Sequence, residues 1–320
     1  MNTIDCSLKP LVPFYQEKRP VDWLKQFGRK APLEVEIGFG LGEVLIRFAK
    51  ENPDRDFIGI EQHWERIYKC LRGIEREKSV ADPARTGRYL DNIKILRIDA
   101  RLAFERLIGP ETVDRIYCLF PCPWPKKRHV KNRLFSNEFL RLSNSRLKKN
   151  GEIKVVTDFD PYFNWIQGEL PGTGFAIKKN VIQPQFDTKF ERKWFAEGKR
   201  EFFELSLLKK KHVRVPVKED TALKEYRLKE FDPQRFQFQD VKGEISVILK
   251  DRLYDPRKEI LLIHLIVAEP DLTQHLWVSI MKEKDHWSVA RGDGQEFFPT
   301  PGIAEALRSV HDAAHSSSRK

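Results

Sequence analysis

Cysteine is scarce in this chain, and its spacing carries no pattern. Cys6, Cys70, Cys118 and Cys122 are the four cysteines in 320 residues, with no CxxC pair and no zinc-ligand spacing. That argues against a disulfide framework or a metal site and fits a reduced, cytoplasmic compartment. Long apolar runs are also missing. The longest, Ile260 to Ala268, carries His264 and is far short of the roughly 20 residues that cross a bilayer. It reads as a buried strand, so no membrane association is expected. Met1 to Pro10 has no apolar core, so no signal peptide is expected. No internal repeat is present, and only the tail, His315 to Lys320, reads as unstructured.

What the chain does have is positive charge, unevenly placed. The net charge is +11. Residues 1–211 hold 41 lysines and arginines against 29 aspartates and glutamates, which leaves +12; residues 212–320 hold 17 against 18, which leaves −1. The excess belongs to the first two thirds and favours a polyanionic partner through counterion release.

Residues 33–209 alternate strand-like and helix-like segments. Strands are expected at Leu33–Ile37, Asp56–Glu61, Asn92–Ile98, Asp114–Phe120, Glu152–Val156, Phe175–Lys179 and Phe202–Leu208, with helices between most of them. Alternation at that pitch predicts an α/β fold with a parallel sheet wrapped by helices. The last two strands have no strong helix between them, which permits an antiparallel finish at one edge. After Lys209-Lys210-Lys211 the pattern changes to short strand-like runs and a final helix, Pro301 to Ala314. Two domains are expected, 1–211 and a smaller β-rich 212–320, with the boundary between Lys210 and Ala222.

Two stretches carry chemistry. Glu36-Ile37-Gly38-Phe39-Gly40-Leu41-Gly42 joins the first strand to the first helix, and its glycines let a ligand approach the backbone. Glu43 stands where a dinucleotide fingerprint wants its last glycine, and its carboxylate would repel a pyrophosphate. A cationic ligand such as S-adenosylmethionine suits Glu36 better. Glu61, at the end of the second strand, can take ribose hydroxyls, and Asp99-Ala100, after the third, an adenine amine. The second stretch is Phe120-Pro121-Cys122-Pro123-Trp124-Pro125-Lys126-Lys127-Arg128-His129, a proline-bracketed turn leading into a block of positive charge. It follows the fourth strand, where ligands sit in open α/β sheets. Arg141, Arg146, Lys148, Lys149 and Lys154 extend the basic run. Trp124 reads equally as a core ring and as a stacking surface.

Taken together these residues resemble the bacterial tRNA (guanine-N7-)-methyltransferase family. Four blocks match in order: Glu36 to Gly40, Pro121 to His129, Thr157-Asp158, and Thr188-Lys189-Phe190-Glu191 with Gly198 after it. The resemblance covers about residues 30 to 210. It implies a Rossmann-like class I methyltransferase sheet, S-adenosylmethionine as cofactor, and methylation of N7 of guanine 46 in the tRNA variable loop. It implies cofactor contacts from Glu36, Gly38, Gly40, Glu61, Asp99, Ala100 and position 122. Substrate contacts would come from Lys126, Asp158, Thr188, Lys189, Phe190 and Glu191, and RNA contacts from Arg128, His129, Lys131 and Arg133. tRNA is the expected partner and a monomer the expected state.

The departure is Cys122, where the family carries an aspartate given the catalytic role. Cys122 could instead be a thiol nucleophile of the cytosine-methylating kind, but that gives no reason for the other three blocks. The chain could also be a tRNA-binding relative that lost activity at Cys122, or a nucleotide-dependent oxidoreductase, against which Glu43 argues. Residues 212–320 are expected to grip tRNA, with Arg235-Phe236-Gln237-Phe238 as exposed contacts, or only to pack.

Overall fold

The computed structural model describes residues 6–80 and 89–317. They divide into two compact units, Met1–Lys218 and Glu219–Lys320.

The first unit is an α/β sheet of seven strands: β1 (Leu33–Ile37), β2 (Asp56–Glu61), β3 (Ile93–Arg97), β4 (Val113–Leu119), β5 (Leu147–Thr157), β6 (Phe175–Ile182) and β7 (Phe202–Lys209). Their spatial order is β3-β2-β1-β4-β5-β7-β6. The first five run parallel, and β7 is antiparallel to both β5 and β6. This is the Rossmann-like sheet that the resemblance implied, with the antiparallel finish at one edge. Every residue of β1 and β2 is buried, as expected of parallel strands covered on both faces. Helices α2 (Glu43–Glu51) and α3 (Trp64–Val80) place Leu45, Ile46, Ala49, Ile67, Cys70, Leu71 and Ile74 in the core cluster on one side. A short α1 (Trp23–Phe27) precedes β1, and α4 (Ala100–Leu102) runs into a π turn, Ala103–Leu107. Helices α5 (Asn137–Arg146) and α6 (Asp160–Gly168) flank β5.

One expectation is corrected in this unit. A helix does stand between β6 and β7: α7, Lys189–Ala196. The signal was present, because Thr188 and Glu191 form a capping box. The chain also stays with the first unit past Lys211. Buried Arg146 donates to the carbonyls of Val215 at 2.7 Å and Pro216 at 3.1 Å. Asn144 donates to the Lys211 carbonyl and accepts from the amide of Val213. Arg146, counted above with the basic run, is therefore a core cation. Lys148 pairs with Asp114 and Lys154 with Glu204.

The second unit is a five-stranded antiparallel sheet, ordered β8-β12-β11-β10-β9. Its strands are β8 (Tyr226–Leu228), β9 (Ser246–Asp255), β10 (Ile260–Glu269), β11 (Leu272–Lys282) and β12 (Trp287–Arg291). Alternate residues of β10, Leu261, Ile263, Leu265 and Val267, face a core shared with Ile303, Leu307 and Val310 of α8 (Pro301–Ser317). Phe236 is buried in that core against Phe231 and is not the exposed contact expected. The expected loose tail is helical through Ser317, where Ser316 and Ser317 donate back to the carbonyls of Asp312 and Ala313. Residues 318–320 lie outside the described residues. No helix among the described residues is long and apolar enough to cross a membrane.

Candidate active site

Parallel pairing in register brings the carboxyl ends of β1, β2, β3, β4 and β5 to one edge of the first sheet. Glu36 pairs with Gly59 and Tyr117, Glu61 with Arg97, and Leu119 with Val156. Every block of the motif set leaves from that edge or packs against it.

After β1 the backbone turns through Gly38, Gly40 and Gly42 at φ of 71°, 58° and 80°, the left-handed region that favours glycine. Space is open where side chains would stand at Gly38, and nearly so at Gly40. At Gly42 a Cβ would come within 2.3 Å of the Cys70 sulfur. Two of the glycines therefore leave room for a ligand, and the third lets α2 pack on α3.

Glu36 is buried, and its Oε2 has no hydrogen-bond partner. Burial pushes its carboxyl up to about 8, against the opposing pull of the Arg47 guanidinium. A buried, unpartnered carboxylate beside an open glycine turn fits a cationic ligand. The other acids already have local work. Glu61 accepts from the amides of Gln62 and His63 and pairs with Arg66 at 3.2 Å, so it also starts α3. Asp99 caps α4 through the Arg101 amide and accepts from Gln62 Nε2 at 2.8 Å. A ligand reaching Asp99 exchanges with Gln62. Ala100 is buried behind it.

The turn after β4 is held in uncommon backbone. Phe120 and Trp124 have φ of 55° and 43°, a conformation that costs a bulky residue on the order of 1–3 kcal/mol. Cys122 is exposed between them. Trp124 is half-buried, edge-on to His129 at 5.7 Å. A single 3-10 turn follows, Lys127–Asn132. Lys126, Lys127, Arg128 and Lys131 are exposed, with no ion pair among the described residues. Arg133 departs from the expectation. It is only 6% exposed, donates to the Pro123 carbonyl at 3.0 Å and stacks over Tyr162 and Trp165.

The Thr188 to Glu191 block lies against both turns. Glu43 accepts from the Lys189 amide and pairs with Arg192, while Arg47 donates to the Phe186 carbonyl. Phe190 is half-exposed, its ring 6.3 Å from that of Phe120. Lys189 is exposed. Asp158 follows β5 with its carbonyl taken by Lys199 and its carboxylate in no hydrogen bond among the described residues. Glu191 is 1% exposed, and its carboxylate accepts from the amides of Gln185, Phe186 and Thr188. The Thr188 hydroxyl accepts from the Glu191 amide. Both side chains brace the segment. Among the described residues no group of three or more His, Cys, Asp or Glu is placed to hold a metal ion.

Comparisons with known proteins identify the family. The model of a family described as "Putative methyltransferase" matches residues 30–204. A tRNA (guanine-N(7)-)-methyltransferase of Chlorobium phaeobacteroides is 45% identical over 181 residues, 57% of this chain and 83% of that protein. Enzymes of the same name from Thermotoga maritima and Aquifex aeolicus are 27% and 28% identical but span 91% and 93% of this chain, and 92% and 97% of their own. The similarity to those two therefore runs on into the second unit. With a matched family model over more than half its length and a relative this close, the chain belongs to the tRNA (guanine-N7-)-methyltransferase family, whose methyl donor is S-adenosylmethionine.

Proposed function

We propose that this protein methylates N7 of guanine in tRNA, at position 46 of the variable loop, using S-adenosylmethionine. The observation that carries the reading is the buried, unpartnered carboxylate of Glu36 beside the open Gly38–Gly40 turn. S-adenosylmethionine, when bound, supplies an electrophilic methyl group on a positively charged sulfonium, and its α-ammonium is a second cation. Glu36 meets that charge, and the amino end of α2 can hold a carboxylate. Glu61 takes the ribose and Asp99 the adenine amine, with Ala100 behind.

Guanine N7 has an in-plane lone pair and no proton to remove. The chain's contribution is therefore placement and electrostatics, not general-base chemistry. Asp158 is the acceptor available to the Watson–Crick edge of the base, which leaves N7 facing the methyl group. Phe190, beside Phe120, offers the base a ring, and Lys126 and Lys189 hold the flanking phosphates. Cys122 stands where the family's aspartate would steady the charge that develops on the base. Losing one such preorganised partner slows a reaction by on the order of a hundredfold without abolishing it. Arg128, His129 and Lys131 contact the RNA backbone.

The test is mass spectrometry of tRNA nucleosides and fragments after incubation with protein and S-adenosylmethionine. The expected product is 7-methylguanosine, mapped to position 46. No methylated guanine, with cofactor bound, would leave a tRNA-binding relative; 7-methylguanosine elsewhere would move the site.

A further inference from the structure

We propose that Arg133 is a positioning residue that holds the Pro121–Pro125 turn in its reactive shape, and that it does not contact RNA. The proposal rests on the reading that this turn receives the guanine. Three observations carry it. First, the Arg133 guanidinium is withdrawn from solvent and stacked 5.3 Å from the Tyr162 ring and 5.1 Å from the Trp165 ring of α6. A cation on two aromatic faces is already satisfied in place. Second, its Nε donates to the carbonyl of Pro123, midway between Cys122 and Trp124. Pro123 has no amide hydrogen of its own, and Trp124 after it has φ of 43°. The Arg133 side chain thus fastens the middle of the turn, in a conformation its residues disfavour. Third, the Arg133 carbonyl accepts from the Arg101 guanidinium at 2.6 Å, and the Arg101 amide donates to Asp99. Asp99, Arg101, Arg133 and Pro123 form one continuous set of contacts from the proposed adenine acceptor to the turn. The arrangement sets the distance between methyl donor and base, on which an in-line transfer depends.

The two roles for Arg133 separate experimentally in the full-length protein. Arg133→Lys keeps the charge, so a phosphate contact would survive it as a point charge. It removes the planar group that stacks on both rings and hydrogen-bonds Pro123 together. The expected result is a fall in kcat of about ten- to a hundredfold at saturating tRNA. KM for tRNA should stay the same, and S-adenosylmethionine should still bind at full stoichiometry, which confirms the fold. Arg133→Gln should leave the dependence of tRNA affinity on salt unaltered. Exposed Arg128→Gln should lower that slope by about 0.7–0.9, the share of one phosphate contact. Arg101→Ala should lower kcat in the same direction, and the Arg101→Ala, Arg133→Lys double variant should lose less than the two losses combined. An unchanged kcat in Arg133→Lys, or a lowered salt slope in Arg133→Gln, overturns the proposal. Absence of any methylation of tRNA by the unaltered protein overturns the functional reading instead.

Discussion

Glu36 shows what a single residue contributes here. Its carboxyl is buried without a hydrogen-bond partner and titrates at about 8, above its ordinary 4.5. The folded protein therefore holds a proton there that the unfolded chain has lost. Without cofactor, the stabilisation this gives is complete below pH 4.5 and is lost as pH rises through 8, by on the order of a few kcal/mol. Melting curves across that window should slope downward for the unaltered protein and lie flatter for Glu36→Gln. A bound cation favours the ionised form, so binding S-adenosylmethionine at pH 6.5 should release about one proton. Calorimetry in two buffers of different ionisation heat measures this; equal proton release in Glu36→Gln would remove Glu36 from the site. Cys122 is the other residue to probe. Cys122→Asp restores a carboxylate beside the developing charge and should preserve or raise kcat, by up to on the order of a hundredfold. Cys122→Ser should keep substantial activity. Complete loss in the serine variant, with cofactor still bound, would make the thiol a nucleophile.

Among the elements, α7 repays the closest reading. It is a two-turn helix with a half-exposed Phe190 and Phe195 and few buried residues of its own, too short to be stable by propensity. What holds it is the buried Glu191 carboxylate under three amides, the Glu43 contacts from α2, and Trp194 packed against the cluster of Phe186 and Phe202. Glu191→Ala strands those amide donors at a cost of about 1–3 kcal/mol. Hydrogen exchange should quicken within residues 184–199 and little elsewhere, with KM for tRNA raised and cofactor affinity kept. Unaltered exchange together with a loss of kcat beyond a hundredfold would return Glu191 to the base-reading role. The Thr-x-x-Glu spacing announces this helix in the sequence, yet family resemblance points to the same residues as substrate contacts. Burial supports the bracing role for Glu191, and burial is not written in a tetrapeptide.

For the whole molecule, the first unit should reach its full stability only if it keeps the residues after Lys211. Arg146 is fully buried, its burial lowers its pKa to about 10, and its guanidinium is satisfied by the carbonyls of Phe104, Val215 and Pro216. Ending the chain after Lys218 leaves those contacts in place; ending it after Lys211 removes two of the three carbonyls. Breaking the surroundings of a buried cation costs about 3–5 kcal/mol, so the shorter protein should melt about 10 °C below the longer one. Both should bind S-adenosylmethionine when cold, since every proposed cofactor residue precedes Lys211. Equal melting temperatures would show that residues 212–218 do not matter to the unit. KM for tRNA in the Lys218 truncation, against the full chain, then reads what residues 219–320 add: a rise supports a grip on RNA, and no change supports packing alone.

The strand series and the glycine turn follow from local pattern: apolar runs of strand length, those of β1, β2, β3 and β5 ending at a glycine or an acid, have few other ways to be buried. The carboxylates Glu36, Glu61 and Asp99 were legible for the same reason, because parallel strands with short connections bring their carboxyl ends to one edge. Cations were the part that could not be read. Arg128, Arg133 and Arg146 look alike in a basic run, but one is exposed, one lies stacked under the turn, and one is sealed in the core. What separates them is distant in the chain: Tyr162 and Trp165 for Arg133, the carbonyls of Val215 and Pro216 for Arg146. The sequence by itself determined which chemical groups this protein has and, through the order of its strands, that Glu36, Glu61 and Asp99 meet at one sheet edge. Only the tertiary structure decided which charges reach solvent, because the desolvation cost of a cation is set by partners that local sequence does not contain.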